Sequence, residues 1–170
     1  GIDKNKPEKQ QRNQTGSPIL EEGDILLNTT LAETNDWQQV DLPVVRTLRH
    51  FCIETLSSYT EDNQACISEV DLLDDKGQPI DKTKWEVVYV SSEQADKNLG
   101  IAENLFDGDI SSFWHTDPAT EPGQPHRIIV DIKEIYKISA LRFKVRKGAF
   151  LSGKVKEINV YGRPQFFLFH

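Results

Sequence analysis

Hydrophobic and polar residues alternate with a period of two along most of this chain. A period of two is typical of β-strands, and no window of a dozen residues keeps the i, i+3, i+4, i+7 apolar spacing of an amphipathic helix. We therefore predict eight or nine short strands. The alternating runs lie at residues 38–42, 47–56, 65–73, 85–90, 128–132, 141–145 and 158–160, and an apolar run at 166–169 ends the chain.

Turn-forming sequences separate these runs. Residues 74–77, 121–123 and 148–153 carry the Asp, Pro and Gly residues that favour tight turns. Many short strands joined by polar turns indicate an all-β chain folded as an antiparallel sandwich or barrel. One connection is much longer, because residues 92–126 lack strand periodicity and hold at most a short helical turn near 100–106. Long irregular connections in small domains often carry the functional residues.

The first 24 residues differ in composition from the rest of the chain. They contain three hydrophobic side chains, and the remainder is mainly Lys, Glu, Gln, Asn, Pro and Gly. Such a composition cannot bury enough apolar surface to offset the entropy lost on ordering, so we predict a flexible polar tether over residues 1–24. A frayed chain end is the alternative. The absence of Met indicates a processed or excised product.

Acidic residues outnumber basic ones, with 27 Asp and Glu against 20 Lys and Arg and a net charge of −7. Nucleic acids and anionic membranes bind proteins through clustered Lys and Arg, so this balance argues against both partners. No stretch approaches the roughly 20 apolar residues of a membrane-spanning helix, so we expect no direct membrane insertion.

Cys52 and Cys66 are the only cysteines in the chain. Their spacing fits no zinc or redox motif. We interpret both as small buried hydrophobic residues on adjacent strands. A disulfide between them is the alternative if their side chains face each other.

Oxygen donors cluster in the long connection around Asp107, Gly108 and Asp109. The glycine lets the backbone turn sharply between the two carboxylates, and Ser112 adds a hydroxyl and a carbonyl oxygen. Hard oxygens on a tight turn suit Ca²⁺, although the spacing is not that of an EF-hand. An Asp-Gly turn held by its own side-chain hydrogen bonds is the alternative, and spacing alone does not choose between them.

The same stretch resembles a known family. Residues 105–109, followed by Ser112 and Trp114, resemble the signature of discoidin-like domains, the coagulation factor type C family. They are closer still to the galactose-binding-like modules of carbohydrate-binding module family 32. The resemblance implies an antiparallel jelly-roll β-sandwich of about eight strands. It continues, in the family's order, through residues 125–132, 138–143 and 153–161.

Two further segments resemble the family out of order. Residues 46–54 are similar to a strand that comes late in the family, and residues 65–72 to its closing strand. Both precede the signature here, so we predict one circularly permuted domain over residues 25–170. The tail of one module joined to the head of the next is the alternative, but it would expose sheet edges. Permutation places Glu69 beside Asp107 in space.

The resemblance implies a calcium ion that pins the loops and performs no chemistry. As its oxygen ligands the resemblance implies Asp107, Asp109, Ser112 and Glu69.

The resemblance also implies a sugar-binding set made of His115, Arg146 and Glu93. Arg and His donate hydrogen bonds to sugar hydroxyls, and a glutamate accepts them. Each residue also has a plain alternative, as a loop cap, a surface ion pair or a solvated charge.

The chain departs from the family's galactose binders at two places. Pro118 stands where they have a stacking Trp, and residues 147–152 replace an Asn-rich stretch. Phe150 or Tyr59 is the expected replacement for the stacking ring.

The leading hypothesis is a non-catalytic module that recognises a glycan or polysaccharide. We expect it in an exported, secreted or cell-surface protein, such as a lipoprotein or a protein of the bacterial periplasm or outer membrane, tethered to a larger glycan-processing protein. A protein-binding adhesion module of the discoidin type is the alternative. Catalysis is not expected, because Asp107 and Asp109 on one turn cannot flank opposite faces of a sugar ring.

Overall fold

The computed structural model describes residues 7, 8, 12, 14, 16–119, 123–145 and 153–170. Within these ranges the regular structure consists of seven strands and three short 3₁₀ turns. The strands are β1 (Ile25–Thr30), β2 (Gln38–Thr55), β3 (Cys66–Asp74), β4 (Glu86–Val90), β5 (Trp114–His115), β6 (His126–Val145) and β7 (Glu157–Arg163). The 3₁₀ turns span Glu22–Asp24, Asp96–Asn98 and Ala102–Phe106.

All strand pairs are antiparallel, in the order β1-β7-β2-β6-β3-β5, and β4 also pairs with β6. The two long strands belong to both layers of the fold. The first part of β6 pairs with β4 and with the end of β2, whereas its second part pairs with β3 and with the start of β2. Strands that pass from one sheet to another at bulges form the corners of a β-sandwich. The predicted all-β antiparallel sandwich is confirmed, and its topology is consistent with a jelly roll.

The strands differ from the prediction because two pairs of periodic runs are continuous, β1 and β5 lie outside the predicted runs, and the run at 166–169 forms only an isolated bridge at Phe169. Residues 38–42 and 47–56 both belong to β2, and residues 128–132 and 141–145 both belong to β6. The pairing between these strands shifts register at two places, where extra residues bend the chain without ending the strand. Lys133 lies at one of these bends and takes a positive φ of 74°, although the sequence has neither Gly nor Pro at this position.

A single large hydrophobic cluster fills the space between the layers. Phe51, Trp114 and Phe143 are fully buried in it. Trp85 packs edge-on against Phe51, with ring centroids 5.5 Å apart, and lies 5.6 Å from the ring of Phe106. Burial of each such aromatic side chain stabilises the fold by roughly 1.5–3 kcal/mol. The Phe106 contact fixes the end of the Ala102–Phe106 turn on the core.

A bulge in β4 changes which side chains of this strand face the core. Strict alternation predicts that Trp85, Val87 and Tyr89 share one face. The register against β6 shifts between Val87 and Tyr89, so that Val90 joins the main cluster and Tyr89 packs on the other side of the sheet. The predicted face is therefore wrong at Tyr89.

Both cysteines are buried and do not form a disulfide with each other, which agrees with their interpretation as small core residues. Their predicted placement on adjacent strands is wrong, because β6 lies between β2, which carries Cys52, and β3, which carries Cys66. Burial and the nearby carboxylate of Glu54 hold the pKa of the Cys52 thiol far above its ordinary value.

Candidate functional site

Residues 107–112, named here the Asp107 turn, are held by hydrogen bonds from their own side chains. The carboxylate of Asp107 accepts from the amide of Asp109 at 2.9 Å and from the hydroxyl of Ser112 at 2.5 Å. The carboxylate of Asp109 accepts from the amide of Ser111 at 2.9 Å and from its hydroxyl at 2.7 Å. Gly108 supplies the positive φ of 80° that the turn needs. This is the arrangement that the sequence left open as the alternative to a calcium loop.

Strand β3 brings Glu69 to this turn, as predicted. The amide of Gly108 donates a hydrogen bond to Oε2 of Glu69 at 3.0 Å. The side chain is buried, and its Oε1 has no hydrogen-bond partner among the described residues. Burial raises the pKa of Glu69 to about 7, although the Lys82 ammonium and the Gly108 amide act against this rise.

The ammonium of Lys82 lies against the same carboxylate. It forms an ion pair with Oε2 of Glu69 and a second one with Asp71, whose Oδ1 is 2.6 Å from Nζ. It also donates to the carbonyl oxygen of Val70 at 3.1 Å. Nothing in the sequence pattern singles out this lysine, because it comes from an irregular segment between two strands.

The four predicted calcium ligands do not form a coordination shell in this arrangement. No group of three or more His, Cys, Asp or Glu side chains able to hold a metal ion occurs in the part of the chain that the structure describes. Both carboxylate oxygens of Asp107 already accept hydrogen bonds, and an ammonium lies beside Glu69. As folded, these residues do not fit calcium, and a metal at this turn stays a prediction.

A second feature, the β4 pocket, is a cavity of about 230 Å³ that lies at the end of β4. It contains the hydroxyls, carboxylates and guanidinium that bind polar ligands. Its walls are Arg12, Gln14, Val90, Ser91, Ser92, Glu93, Ala95, Asp96 and Asp117.

Glu93 lies in the wall of the β4 pocket with both carboxylate oxygens engaged. Oε2 accepts from Nε of Arg12 at 2.7 Å, and Oε1 accepts from the amide of Ala102 at 3.0 Å. The Arg12 guanidinium also donates to Glu103, at 2.6 Å to its Oε2. Burial acts to lower the pKa of Arg12, but Glu103 and Glu93 outweigh it and raise the pKa above its ordinary value.

His115 is positioned by backbone hydrogen bonds. Its carbonyl oxygen accepts from the amide of Gln94, and its own amide donates to the carbonyl of Gly100. The ring is buried, with Nδ1 2.5 Å from the carbonyl oxygen of Thr116. The imidazole therefore lies inside the loop and not on the surface of the β4 pocket.

The other residues predicted to contact a sugar are Arg146, Phe150 and Tyr59. Arg146 and Phe150 lie outside the described residues. The hydroxyl of Tyr59 donates to the carbonyl oxygen of Leu31 at 2.8 Å, and its ring faces the ammonium of Lys156 at 5.4 Å. The roles of all three residues stay predictions.

The sequence pattern did not predict several of the residues that line the β4 pocket. Arg12 lies in a polar segment without periodicity, so no pattern marks it. Ser92 and Asp117 belong to the long connection, where the indole of Trp114 donates to the Ser92 carbonyl at 3.0 Å. The amide of Asp117 donates to the Ser92 hydroxyl at 2.8 Å. Trp114 could have pointed to Ser92 in the sequence, because a buried aromatic side chain fixes the position of the residues that hydrogen-bond to it.

Comparison with known proteins finds a domain family that is similar to the segment around this site. Residues 87–165 match the F5/8 type C domain, and this segment contains the Asp107 turn, most of the β4 pocket and the strands β5 to β7. A sialidase from Micromonospora viridifaciens is 33% identical over 84 residues, which are 48% of this chain and 13% of the sialidase. The chain thus matches only a small part of that relative's length. Residues 87–165 are thus similar to the F5/8 type C domain, and this similarity covers a little less than half of the chain.

Proposed function

We propose that this chain is a non-catalytic module that binds a glycan in the β4 pocket. The observation that carries the proposal is the pocket itself, a cavity of about 230 Å³ built mainly by the segment that matches the F5/8 type C domain. The likeness of this segment to part of a sialidase supports a carbohydrate as the ligand.

The lining groups suit a polyhydroxylated ligand. Serine hydroxyls donate and accept hydrogen bonds, and carboxylates accept them, so Ser91, Ser92 and Asp96 complement sugar hydroxyls. The described lining residues include three carboxylates, those of Glu93, Asp96 and Asp117, but only one guanidinium, that of Arg12. Two glutamates, Glu93 and Glu103, already bind this guanidinium. This excess of negative charge favours a neutral sugar over an acidic one.

Two predictions from the family resemblance accompany this proposal. Arg146 and the buried His115 are candidate sugar-binding residues, and the imidazole of His115 has to turn toward the pocket to contact a sugar. Calcium at the Asp107 turn is likewise a prediction, and glycan binding in the β4 pocket does not require it.

The proposed setting is a larger extracellular or cell-surface protein that processes glycans. The sialidase match is the support for a glycan-processing host. In the described part of the chain, no helix is both long and apolar enough to cross a membrane. A single domain over residues 25–170 is part of this proposal, and Arg12 and Gln14, which belong to the predicted tether over residues 1–24, line its pocket.

Titration calorimetry with neutral and acidic oligosaccharides tests the proposal. We expect a neutral glycan to bind, and we expect Asp96→Ala to weaken that binding by about tenfold, since one hydrogen bond to a charged group contributes roughly 1.5 kcal/mol or more. Asp75→Ala is the matched control, because this exposed carboxylate lies in the turn after β3. Absence of heat with every glycan in the panel would contradict the proposal.

A second candidate function, protein binding, is favoured by one observation. Phe166, Leu168 and Phe169 near the end of the chain are 54%, 60% and 37% exposed. Exposed aromatic and aliphatic groups this close together are typical of contact surfaces. Replacement of Phe166 and Leu168 by Ser leaves glycan binding unchanged if the β4 pocket is the functional site.

A further inference from the structure

Glu69 is an acid that the fold buries almost completely, at 1% exposure. An ionised carboxylate taken out of water destabilises a protein unless an opposite charge or several hydrogen bonds compensate it. The Gly108 amide supplies one hydrogen bond, and Oε1 has no partner among the described residues. The buried charge therefore has to be removed by protonation or balanced by a cation at Oε2.

The chain places such a cation there by a tight turn after β3. Asp74 caps this turn, because its carboxylate accepts from the amides of Lys76 and Gln78 at 2.9 and 3.0 Å. The returning segment then pairs with β3, and the amide of Ile80 donates to the carbonyl of Leu72 at 3.0 Å. Two residues later, the side chain of Lys82 reaches the middle of β3, where Glu69 faces the Asp107 turn.

We propose that the ammonium of Lys82 holds this rim together in place of a metal ion. An ammonium has three hydrogens to donate, and three acceptors surround this one: Glu69, Asp71 and the carbonyl of Val70. These contacts tie β3 to the returning segment, and Glu69 in turn holds the Asp107 turn through the Gly108 amide.

A calcium ion and this ammonium exclude each other at Glu69. Two cations on one carboxylate would stand about 4 Å apart and repel strongly away from bulk water. The metal would bind only if Lys82 swung out into the adjoining cavity of about 370 Å³, which Thr83, Phe106 and Asp107 also line. The module is thus stable without divalent metal.

Thermal unfolding of three proteins tests this assignment. The melting temperature of the unaltered chain is expected to stay the same in millimolar CaCl₂ and in EDTA. Lys82→Met is expected to lower it by about 5–10 °C, because a buried carboxylate loses its partner. Lys84→Met is the control, since Lys84 is an exposed lysine in the same segment.

A fourth protein separates charge balance from simple packing. In the double variant Lys82→Met with Glu69→Gln the buried charge is gone, so we expect it to melt several degrees above Lys82→Met alone. A saturable rise in melting temperature of the unaltered chain with CaCl₂ would overturn the proposal. This measurement needs no variant, so it tests the proposal even if a variant does not fold. Equal melting of Lys82→Met and Lys84→Met would overturn it as well.

Discussion

His50 on β2 shows how one buried side chain makes stability depend on pH. Its ring stacks on Phe166 with centroids 4.1 Å apart, and Nδ1 lies 3.4 Å from the amide of Phe167, which donates to it. An Nδ1 that accepts a hydrogen bond belongs to a neutral imidazole. Burial lowers the pKa of His50, and the cations Arg49 and Arg163 act in the same direction.

The carboxylate of Asp131, 3.8 Å from Nε2, acts to raise the pKa of His50 but does not outweigh burial. The folded state therefore binds fewer protons than the unfolded state just below the ordinary histidine pKa of about 6.5. The stabilising contribution of neutral His50 is present above this pH and is lost as the pH falls through it.

Between pH 7 and pH 5.5 we expect the free energy of unfolding of the unaltered chain to fall relative to that of His50→Gln, because Glu69, with its raised pKa, contributes in the opposite sense but equally in both proteins. Urea unfolding followed by tryptophan fluorescence at several pH values measures how the free energy of unfolding changes with pH in each of the two proteins. Identical slopes in the two proteins would contradict this account of His50.

Gly100 is the residue at which the long connection passes closest to β5. A Cβ atom at this position would lie 2.9 Å from Cβ of His115 and 3.0 Å from Cβ of Gln94. We expect Gly100→Ala to destabilise the fold by about 1–3 kcal/mol, since overpacking a closed contact displaces backbone. Gly23→Ala is the control, because an added Cβ there meets nothing within 4 Å. Urea denaturation of both variants measures the difference, and equal stabilities would count against the close packing.

At the scale of elements, the described N-terminal residues cover the end of the edge strand β4. The side-chain amide of Gln14 accepts from the amide of Val90 at 3.3 Å and donates to the carbonyl of the same residue. An edge strand without such a cover offers its backbone to other chains. Arg12, two residues earlier, holds the loop at Glu93.

We expect Gln14→Ala to speed hydrogen exchange at the amide of Val90, because that amide loses its acceptor. Arg12→Met is expected to speed exchange at the amide of Ala102, since its acceptor Glu93 loses the guanidinium that orients it. Amide exchange followed by NMR resolves the two positions. Unchanged exchange at both amides would contradict a structural role for the N-terminal residues.

The period-two pattern predicts the strands of this protein well, because each strand has one face in the core. It fails at bulges, where one added residue moves Tyr89 to the opposite face and lets β2 and β6 turn a corner without ending. Extra residues of this kind leave no mark in hydrophobic alternation, so the strand number was overestimated.

For the whole molecule, the sequence predicts which distant segments meet better than it predicts what they do there. The out-of-order resemblance placed Glu69 beside the Asp107 turn, where the Gly108 amide bonds to it. It could not show Lys82 or Arg12, because both reach their carboxylates through irregular segments that have no periodicity. Long-range ion pairs follow from the path of the chain and not from local pattern.

The central claim is that the β4 pocket binds a glycan, and NMR titration of the isotope-labelled chain tests it most directly. With a neutral oligosaccharide we predict saturable amide shifts concentrated at residues 90–93, 95, 96 and 117, which line the pocket. Acidic oligosaccharides of the same length are expected to cause smaller shifts. Absence of saturable shifts with every glycan, or shifts confined to residues 166–169, would contradict the account.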